Sequence, residues 1–409
     1  MTDTVDLIAL QRRTRGVLVI GQVLAGLGLG ATLTMGALLA EHISGSEAWS
    51  GMAATMSTLG SAIAAIPLAR AAQRRGRAFA LSAGALIAAF GALVIISAGG
   101  GQSLPTLLVG LSLVGVGGAV NLQARFAATD LAAPATRGRD LSIVVWATTL
   151  GAVIGPNLNG IGSAMGDALG MPHMTGPFVY TIAAQLLAAA LYVWGLRPDP
   201  LTVRREWIPA VDVPSDALRR PIQRSVVLII AAIGLGHATM VAVMSMTPVH
   251  LTHHGESVAS SSFAISLHVA GMYAFSPLFG IAADRWGRVR IMVLGQVIMG
   301  VSLVFTSVFA ETPSLVIVGL FLLGLGWSAN TVAGSTLVVE TCYDENKTRI
   351  QGRSDLVMSG SGALAGALAG PAVAVMGYSG LSVAAFGFVG AALVMLMLIH
   401  RTLADRRDF

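Results

Sequence analysis

Cysteine and charge are both scarce in this sequence. Cys342 is the one cysteine in 409 residues, which excludes an internal disulfide and any site that needs several thiolates. Charged residues make up only 11% of the chain, whereas a typical soluble domain carries about 25%. A soluble enzyme, a disordered protein and a fibrous protein are therefore excluded. The sequence also lacks a Gly-x-x-x-x-Gly-Lys-Ser/Thr loop, so ATP-driven pumping is not expected.

Apolar residues and glycine are abundant instead. Hydrophobic residues make up 55% of the chain, the mean hydropathy is +0.76 and there are 49 glycines. Runs of about 20 apolar residues span a bilayer, and they do so as helices because lipid offers no partner to a bare backbone amide. The sequence predicts an all-α membrane protein with twelve such spans. They cover roughly 16–40, 51–69, 78–98, 105–129, 140–162, 176–196, 225–250, 259–283, 291–310, 315–338, 354–376 and 380–400.

The basic residues predict the orientation of these spans. Lys and Arg lie before span 1, in the loop after each even-numbered span and at the end of the chain. Arg125, inside span 4, is the one exception. Basic loops face the cytoplasm, so we expect both termini on the cytoplasmic side of a bacterial inner membrane. The net charge of +5 then reflects topology, and no nucleic-acid partner is expected.

The chain divides into two halves around one polar segment. Residues 197–224 contain several prolines and both signs of charge, which is typical of a linker. We therefore predict an N-terminal six-helix bundle over 1–196 and a C-terminal six-helix bundle over 225–409. The halves also look like repeats, because Asn121 of span 4 corresponds in position to Asn330 of span 10. Parallel six-helix repeats are the plan of one large class of transporters.

The loop between spans 8 and 9 carries a long motif, built on Gly280, Asp284, Arg285, Gly287 and Arg288. It resembles the Gly-x-x-x-Asp-Arg-x-Gly-Arg motif of the major facilitator superfamily. That resemblance implies twelve helices in two six-helix pseudo-repeats, transport by alternating access, and no enzymatic activity. It also implies a gating role for the motif, in which Asp284 accepts hydrogen bonds from a helix N-terminus of the other half.

The first half carries a weaker copy of the same motif. Ala69 stands in place of the first glycine and Gln73 in place of the aspartate, whereas Gly76 and Arg77 match. The missing carboxylate predicts that the two halves are not latched symmetrically. Arg125 and Asp130, near the inner end of span 4, are candidates for a pair with each other.

Span 5 contains a second superfamily pattern in Gly151, Gly155 and Pro156. It resembles the Gly-x-x-x-Gly-Pro motif found especially in drug–proton antiporters. Small residues let helices approach closely and proline bends them. We interpret this segment first as a helix-packing motif, with an antiporter as the alternative.

Spans 7 and 8 carry the clue to the substrate. Span 7 places His237, Met240 and Met244 on one helix face, and span 8 places His268 and Met272 on another. Thioether sulfur favours Cu(I), and imidazole accepts copper in either oxidation state. A buried, neutral histidine keeps the lone pair that a ligand needs. These five residues are therefore candidate metal ligands, with His237 a neighbour of the other four.

Met-x-x-x-Met in span 7 together with His-x-x-x-Met in span 8 resembles the CcoA-type copper-importer branch of the superfamily. The resemblance implies a monomeric carrier of copper ions, embedded in the lipid bilayer, that supplies cytochrome oxidase assembly. Copper would be the cargo, and no cofactor is expected. Ligands from the first half are open, with Met35, Met56, Asn121 and Gln123 as candidates.

Three other functions stay open from the sequence. The first is an importer of an organic solute such as riboflavin, and the second is a drug or metabolite–proton antiporter. Against the antiporter, no acidic residue lies near the middle of a span, since Asp284, Glu340 and Asp355 all lie at inner ends. The third is a membrane sensor or scaffold that transports nothing.

Overall fold

The computed structural model describes residues 6–45, 49–207, 224–342 and 344–404. These residues form α-helices joined by short turns. The helices run Leu7–Ser44 (α1), Ser50–Arg75 (α2), Arg77–Gly101 (α3), Leu104–Ala127 (α4), Arg137–Asn157 (α5), Asn159–Ala168 (α6), Pro177–Gly195 (α7), Pro200–Trp207 (α8), Arg224–His253 (α9), Val258–Tyr273 (α10), Ser276–Trp286 (α11), Arg288–Val308 (α12), Pro313–Thr341 (α13) and Asp344–Ala404 (α14).

Side-chain caps explain where several helices begin. The Asp6 carboxylate accepts hydrogen bonds from the first amides of α1. The hydroxyls of Ser103 and Ser257 do the same for α4 and α10. Each cap provides hydrogen-bond acceptors for amides that have no partner inside the helix. It thereby fixes the residue at which the helix begins.

The predicted spans are present as helices, but three boundaries differ from the prediction. Span 5 is divided between α5 and α6, which meet at Leu158, and span 8 between α10 and α11. Spans 11 and 12 lie in the single helical stretch α14, interrupted at Gly377, where φ is 71°. A continuous helix of that length would be about three times the thickness of the hydrocarbon core, so Gly377 is the point that separates two crossings.

Nine helical stretches of the described residues are long and apolar enough to cross a bilayer. The stretch within α14, Asn346–Thr402, is one of the nine and contains both spans 11 and 12. Residues 197–207 of the predicted linker include the short helix α8. The rest of that linker, from 208 to 223, lies outside the described residues, and the predicted domain boundaries at 196 and 225 stay a prediction.

The chain forms two compact units. The first unit comprises residues 1–133, 147–212 and 351–356. Within it α3 packs against α4 and α7, α2 against α4, and α1 against α7. A Cβ at Gly60 of α2 would collide with the backbone of α4, and one at Gly115 of α4 would collide with the backbone of α2. The two glycines therefore bring these helices into backbone contact.

The second unit comprises residues 134–146, 213–350 and 357–409. Within it α12 packs along α13, and α13 also contacts α9, α10 and α11. Helix α13 is thus the central element of this unit, and most of its second half is buried. The candidate ligands of spans 7 and 8 lie on the helices that surround it.

Candidate functional site

His268 of α10 is the most enclosed of the candidate ligands. Its side chain is fully buried, and Nδ1 lies 2.7 Å from the carbonyl oxygen of Leu320 in α13. A carbonyl only accepts hydrogen bonds, so Nδ1 carries the proton and Nε2 carries the lone pair. Nε2 is buried and has no hydrogen-bond partner among the described residues. Met272, one turn further along α10, is also buried.

Two glycines hold α10 tightly against α13. A Cβ at Gly271 would collide with the backbone of Phe321, and one at Gly324 would collide with the backbone of His268 and Met272. The contacts advance together along both helices, so α10 and α13 run in the same direction. The close approach fixes the depth of His268 and Met272 relative to α13.

His237 of α9 contacts α13 at a different place. The indole Nε1 of Trp327 donates a hydrogen bond of 2.8 Å to His237 Nδ1. Because an indole N–H only donates, Nδ1 is the accepting nitrogen of this imidazole. Tyr273 packs edge-on against the same indole, with ring centroids 5.7 Å apart. His237 and Tyr273 are half-buried, whereas Trp327 is buried.

These contacts give the relative depth of the ligands on α9 and α10. Leu320 and Trp327 are seven residues apart on α13, or about 10 Å along the helix axis. Helix α9 contacts α10 across a short turn and so runs opposite to α10 and α13. Met244, seven residues beyond His237, therefore reaches the depth of Leu320, which is the depth of His268.

The same reasoning places the second pair at a common depth. Met240 lies three residues beyond His237, about 5 Å along the axis, and Met272 lies four residues beyond His268, about 6 Å in the opposite direction. Met240 and Met272 therefore share a depth between the Trp327 and Leu320 levels. Met240 is buried and Met244 half-buried. By these axial offsets Met244 is level with His268, and Met240 is level with Met272, along α13.

Neutral polar atoms without hydrogen-bond partners among the described residues lie close to α9 at Gly236. Both side-chain atoms of Gln296 and the oxygen of Asn330 are buried and have no hydrogen-bond partner among the described residues. A Cβ at Gly236, the neighbour of His237, would collide with the Asn330 amide and press on that of Gln296. Sequence reasoning noted Asn330 only as a repeat position and missed Gln296, because one amide in an apolar run has no distinctive pattern.

The loop motif of the second unit is a cluster of opposite charges. The Asp284 carboxylate accepts hydrogen bonds from the amides of Gly138 and Arg139, at 3.0 and 2.9 Å, at the start of α5. Arg288 contacts both Asp284, at 2.9 Å, and Glu340 of α13, at 2.8 Å. A carboxylate at a helix N-terminus is stabilised by the free amides and the helix dipole.

The glycines of this motif have separate tasks. Gly287 has a φ of 96°, which L-residues with a side chain rarely adopt, and it ends α11 and precedes α12. A Cβ at Gly280 would collide with Ser142 and with the carbonyl of Gly138. Arg285 is exposed. The motif therefore combines a tight turn, a close helix contact and a capped helix start.

The first unit contains a buried charged network that sequence reasoning missed. Arg77 of α3 is fully buried and holds the Asp130 carboxylate with two hydrogen bonds, of 2.8 and 3.2 Å. Its other donors reach Gln123, at 2.9 Å, and Gln351 of α14, at 2.7 Å. Arg204 of α8 donates to the backbone carbonyl of Asp130 at 2.6 Å.

A second buried ion pair adjoins the first. Arg125 contacts Asp355 of α14 at 2.7 Å, and Gln123 donates to the same carboxylate at 3.3 Å. The candidate partners Arg125 and Asp130 are bound by other residues, because Arg77 holds the Asp130 carboxylate and Asp355 holds Arg125. The order of charges along a sequence cannot reveal partners that are far apart in the chain.

The span 5 motif contacts α1 within the first unit. A Cβ at Gly151 would collide with the carbonyl of Val23 and the backbone of Gly26. The carbonyl of Gly155 accepts a hydrogen bond of 3.2 Å from the Tyr180 hydroxyl of α7. The backbone of Pro156 belongs to α5, and its side chain lies outside the described part of the chain. Gly151 and Gly155 thus each contact a neighbouring helix, and the helix-packing role of the motif stays a prediction.

Other soft donors of the described chain have structural surroundings. Met35 and Met56 pack against the apolar core of the first unit, around Leu39 and Phe178. Burial raises the pKa of the Cys342 thiol to about 12, although Lys347 acts in the opposite direction, so this cysteine is protonated at neutral pH. Within the described ranges, no group of three or more His, Cys, Asp or Glu side chains is arranged to hold a metal ion.

Comparison with known proteins gives one family. Residues 18–267 and 238–408 match the family model described as Major Facilitator Superfamily. The uncharacterized MFS-type transporter YddS of Bacillus subtilis (strain 168) is 36% identical over 397 residues, which cover 95% of this chain and 90% of that protein. The riboflavin transporter RfnT of Brucella anthropi is 26% identical over 388 residues, which cover 95% and 96% of the two chains.

A solved structure gives the same architecture. The proton:xylose symporter XylE, bound to 6-bromo-6-deoxy-D-glucose, superposes with a TM-score of 0.75 over 96% of each chain. The two sequences are 13% identical. At that identity the likeness concerns the fold and carries no information about the substrate.

Proposed function

The chain belongs to the major facilitator superfamily of membrane transporters, and we propose that the substrate it carries is a copper ion. It is a multi-pass secondary transporter and not an enzyme. In the proposed cycle, the two halves rock around a site in the membrane and expose it to each side in turn. The proposed direction is import into the bacterial cytoplasm, with both termini on that side, and the copper would supply cytochrome oxidase assembly.

The arrangement of His268 is the observation that carries this proposal. The Leu320 carbonyl fixes the ring through Nδ1 and leaves the lone pair of Nε2 buried without a partner among the described residues. Metal-binding histidines are commonly held in this way, with one nitrogen bonded to a carbonyl and the other presented to the metal. A buried acceptor without a partner is costly, and a cation at Nε2 would remove that cost.

The methionines supply soft ligands at matching depths. Met244 shares the depth of His268, and Met240 and Met272 form the layer next to it. Thioether sulfur is neutral and polarisable, and it selects Cu(I) over hard cations such as Mg²⁺ or Ca²⁺. Neutral ligands also suit a carrier, because they leave the charge of the ion uncompensated and so allow its release.

His237 differs from the four proposed ligands. Its Nδ1 accepts the Trp327 indole proton, so the neutral ring carries its own proton on Nε2 and offers no lone pair there. The Trp327 contact also lies about 10 Å along α13 from the Leu320 contact. We therefore propose Met240, Met244, His268 and Met272 as the ligand set, with His237 outside it.

Radiocopper uptake tests this proposal. Copper-import-deficient cells would express the wild type, His268→Gln, or the matched control His237→Gln at equal membrane abundance. We expect the wild type and His237→Gln to restore uptake and His268→Gln to reduce it by at least about tenfold, because a metal ligand is lost. Absence of uptake by the wild type, or equal uptake by His268→Gln, would overturn the proposal.

An organic solute is the second candidate. Two observations favour it: the likeness to a riboflavin transporter at 26% identity, and the half-buried group formed by His237, Trp327 and Tyr273. Aromatic rings and imidazole bind flat heterocycles by stacking and hydrogen bonding. If this candidate is right, radiolabelled riboflavin uptake should depend on His237 and Trp327 and be indifferent to His268→Gln, which is the reverse of the copper pattern.

A further inference from the structure

The arginine-rich end of the second unit contains a cavity of about 500 Å³. The cavity lies where four helix ends meet: the end of α11, the start of α12, and the ends of α13 and α14. Its walls include the three arginines Arg285, Arg288 and Arg290, together with Trp286 and His400. Among the described residues, none of those lining the cavity belongs to α9 or α10, the helices that carry the proposed copper ligands. A ligand of this cavity is therefore independent of the identity of the transported substrate.

The acidic residues of this cavity are already neutralised by protein groups. Asp284 is bound by two amides and by Arg288, and Glu340 is bound by the same arginine. Arg285 and Arg290, in contrast, are exposed and make no hydrogen bond or ion pair with the described residues. The cavity therefore presents two guanidinium groups without ion-pair partners among the described residues, beside the cluster in which Arg288 pairs with Asp284 and Glu340. This excess positive charge favours binding of an anion.

The remaining walls match the region between water and hydrocarbon. Trp286 has 63% of its surface exposed, and Val289 and Leu337 add apolar surface. Tryptophan beside arginine at the end of a transmembrane helix is typical of the lipid headgroup level. One guanidinium group can donate two hydrogen bonds to the oxygens of a phosphate. Basic pockets between helix ends on the cytoplasmic side of a membrane bind anionic headgroups, and the basic loop between α11 and α12 is predicted to face that side.

We propose that this cavity binds the phosphate of an anionic phospholipid, with Arg285 and Arg290 on the phosphate and Trp286 against the glycerol and upper acyl chain. A lipid is favoured over a free phosphate because the apolar wall and the exposed indole have no role in holding a small soluble anion. Arg288 contributes indirectly, by keeping Asp284 and Glu340 from repelling the phosphate.

Native mass spectrometry of the full-length protein tests the site. Protein purified from mixed micelles of phosphatidylglycerol and phosphatidylcholine in equal amounts should retain the former selectively. In Arg285→Gln/Arg290→Gln we expect retained phosphatidylglycerol to fall by at least about tenfold, because each arginine near a headgroup contributes about a factor of five. The control, Arg70→Gln/Arg74→Gln, removes two exposed arginines from the corresponding loop region of the first half and should retain the wild-type amount.

Two further measurements keep the outcomes distinct. Size-exclusion profiles establish that each variant is folded, and the single Arg290→Gln variant, changed at one exposed position of α12, gives an intermediate loss if the site is real. Equal retention by the double variant and the control would overturn the proposal. Complete displacement of phosphatidylglycerol by millimolar inorganic phosphate would overturn the lipid assignment and leave a site for a soluble anion.

Discussion

Arg77 and Arg288 occupy equivalent positions in the two copies of the loop motif, yet their surroundings are opposite. Each begins a helix directly after a glycine with positive φ, which is 89° at Gly76 and 96° at Gly287. Arg77 is fully buried and holds Asp130. Arg288 stays 14% exposed. The same turn therefore places one arginine in the interior of its unit and the other at the surface.

The two loops differ at the carboxylate position of the motif. In the second copy, Asp284 takes two backbone amides and its own arginine, so the loop is self-contained. In the first copy Gln73 offers no carboxylate, and Asp199 instead accepts the amide of Ala78 at 2.8 Å. Arg77 turns inward to Asp130. Loss of the loop carboxylate thus coincides with a deeper, more extensive polar network.

Burial decides what each pair contributes. Two buried charges give stability only as a pair, because removing one leaves the other without solvent or partner. Surface pairs are solvated and contribute about 0–1 kcal/mol. The chain offers a graded series: Arg77 with Asp130 at about zero exposure, Arg288 with Asp284 and Glu340 at partial exposure, and His254 with Glu311, where Glu311 is 89% exposed.

The largest expected effect is at Asp130. Asp130→Asn leaves the Arg77 guanidinium buried opposite a neutral amide, and we expect the folded state to lose about 3–5 kcal/mol. The measurement is the thermal unfolding midpoint of purified protein, together with its abundance in membranes.

The double variant Arg77→Gln/Asp130→Asn supplies the control for that prediction. It removes both charges and keeps neutral hydrogen-bonding groups, so we expect it to be more stable than Asp130→Asn alone. If the stability loss of the double variant equals the sum of the losses in Arg77→Gln and Asp130→Asn, the two charges are not coupled. Burial would then not explain the difference from Arg288.

The next effect in size is at Asp284. Asp284→Asn weakens two charge-assisted hydrogen bonds to the start of α5 and one to Arg288, but solvent reaches this cluster. We expect a loss of about 1–2 kcal/mol, smaller than at Asp130, measured by the same thermal unfolding. Glu340→Gln, which contacts the same arginine from α13, is the matched control and should lose less. A loss at Asp284 equal to that at Asp130 would contradict the ranking by burial.

The sequence predicted the helices well and their interruptions poorly. Hydropathy located the spans because lipid requires long apolar runs. It could not locate the breaks at Leu158 or between Tyr273 and Ser276, because these lie inside apolar stretches. The break within α14 is at Gly377, and its positive φ depends on backbone geometry that glycine permits but does not dictate.

The candidate site shows the same division. Spacing placed His268 with Met272, and Met240 with Met244, on shared helix faces. It could not predict that Leu320 binds His268 through a backbone carbonyl, since every residue has one. Nor could it predict Arg125 with Asp355, because the partners lie in different halves of the sequence. Long-range partners require the packing of the helices.

The smallest expected effect is at His254, at the exposed end of the series. Its bond to the His250 carbonyl and then its contact with Glu311 raise the pKa of this histidine above the ordinary value of 6.5. A raised pKa in the folded state means that the contact stabilises the protein fully below about pH 6.5 and ceases to do so as the pH rises through the folded-state pKa.

His254→Gln should therefore lower the unfolding midpoint at pH 5.5, by less than about 2 °C for an exposed pair, and leave it unchanged at pH 8.5. Glu311→Gln should reproduce the effect in part, because the carbonyl bond remains. If His254→Gln lowers the midpoint equally at both pH values, His254 stabilises the protein by packing and not by its charge. The contact of His254 with Glu311 would then not belong to the series of ion pairs ranked by exposure.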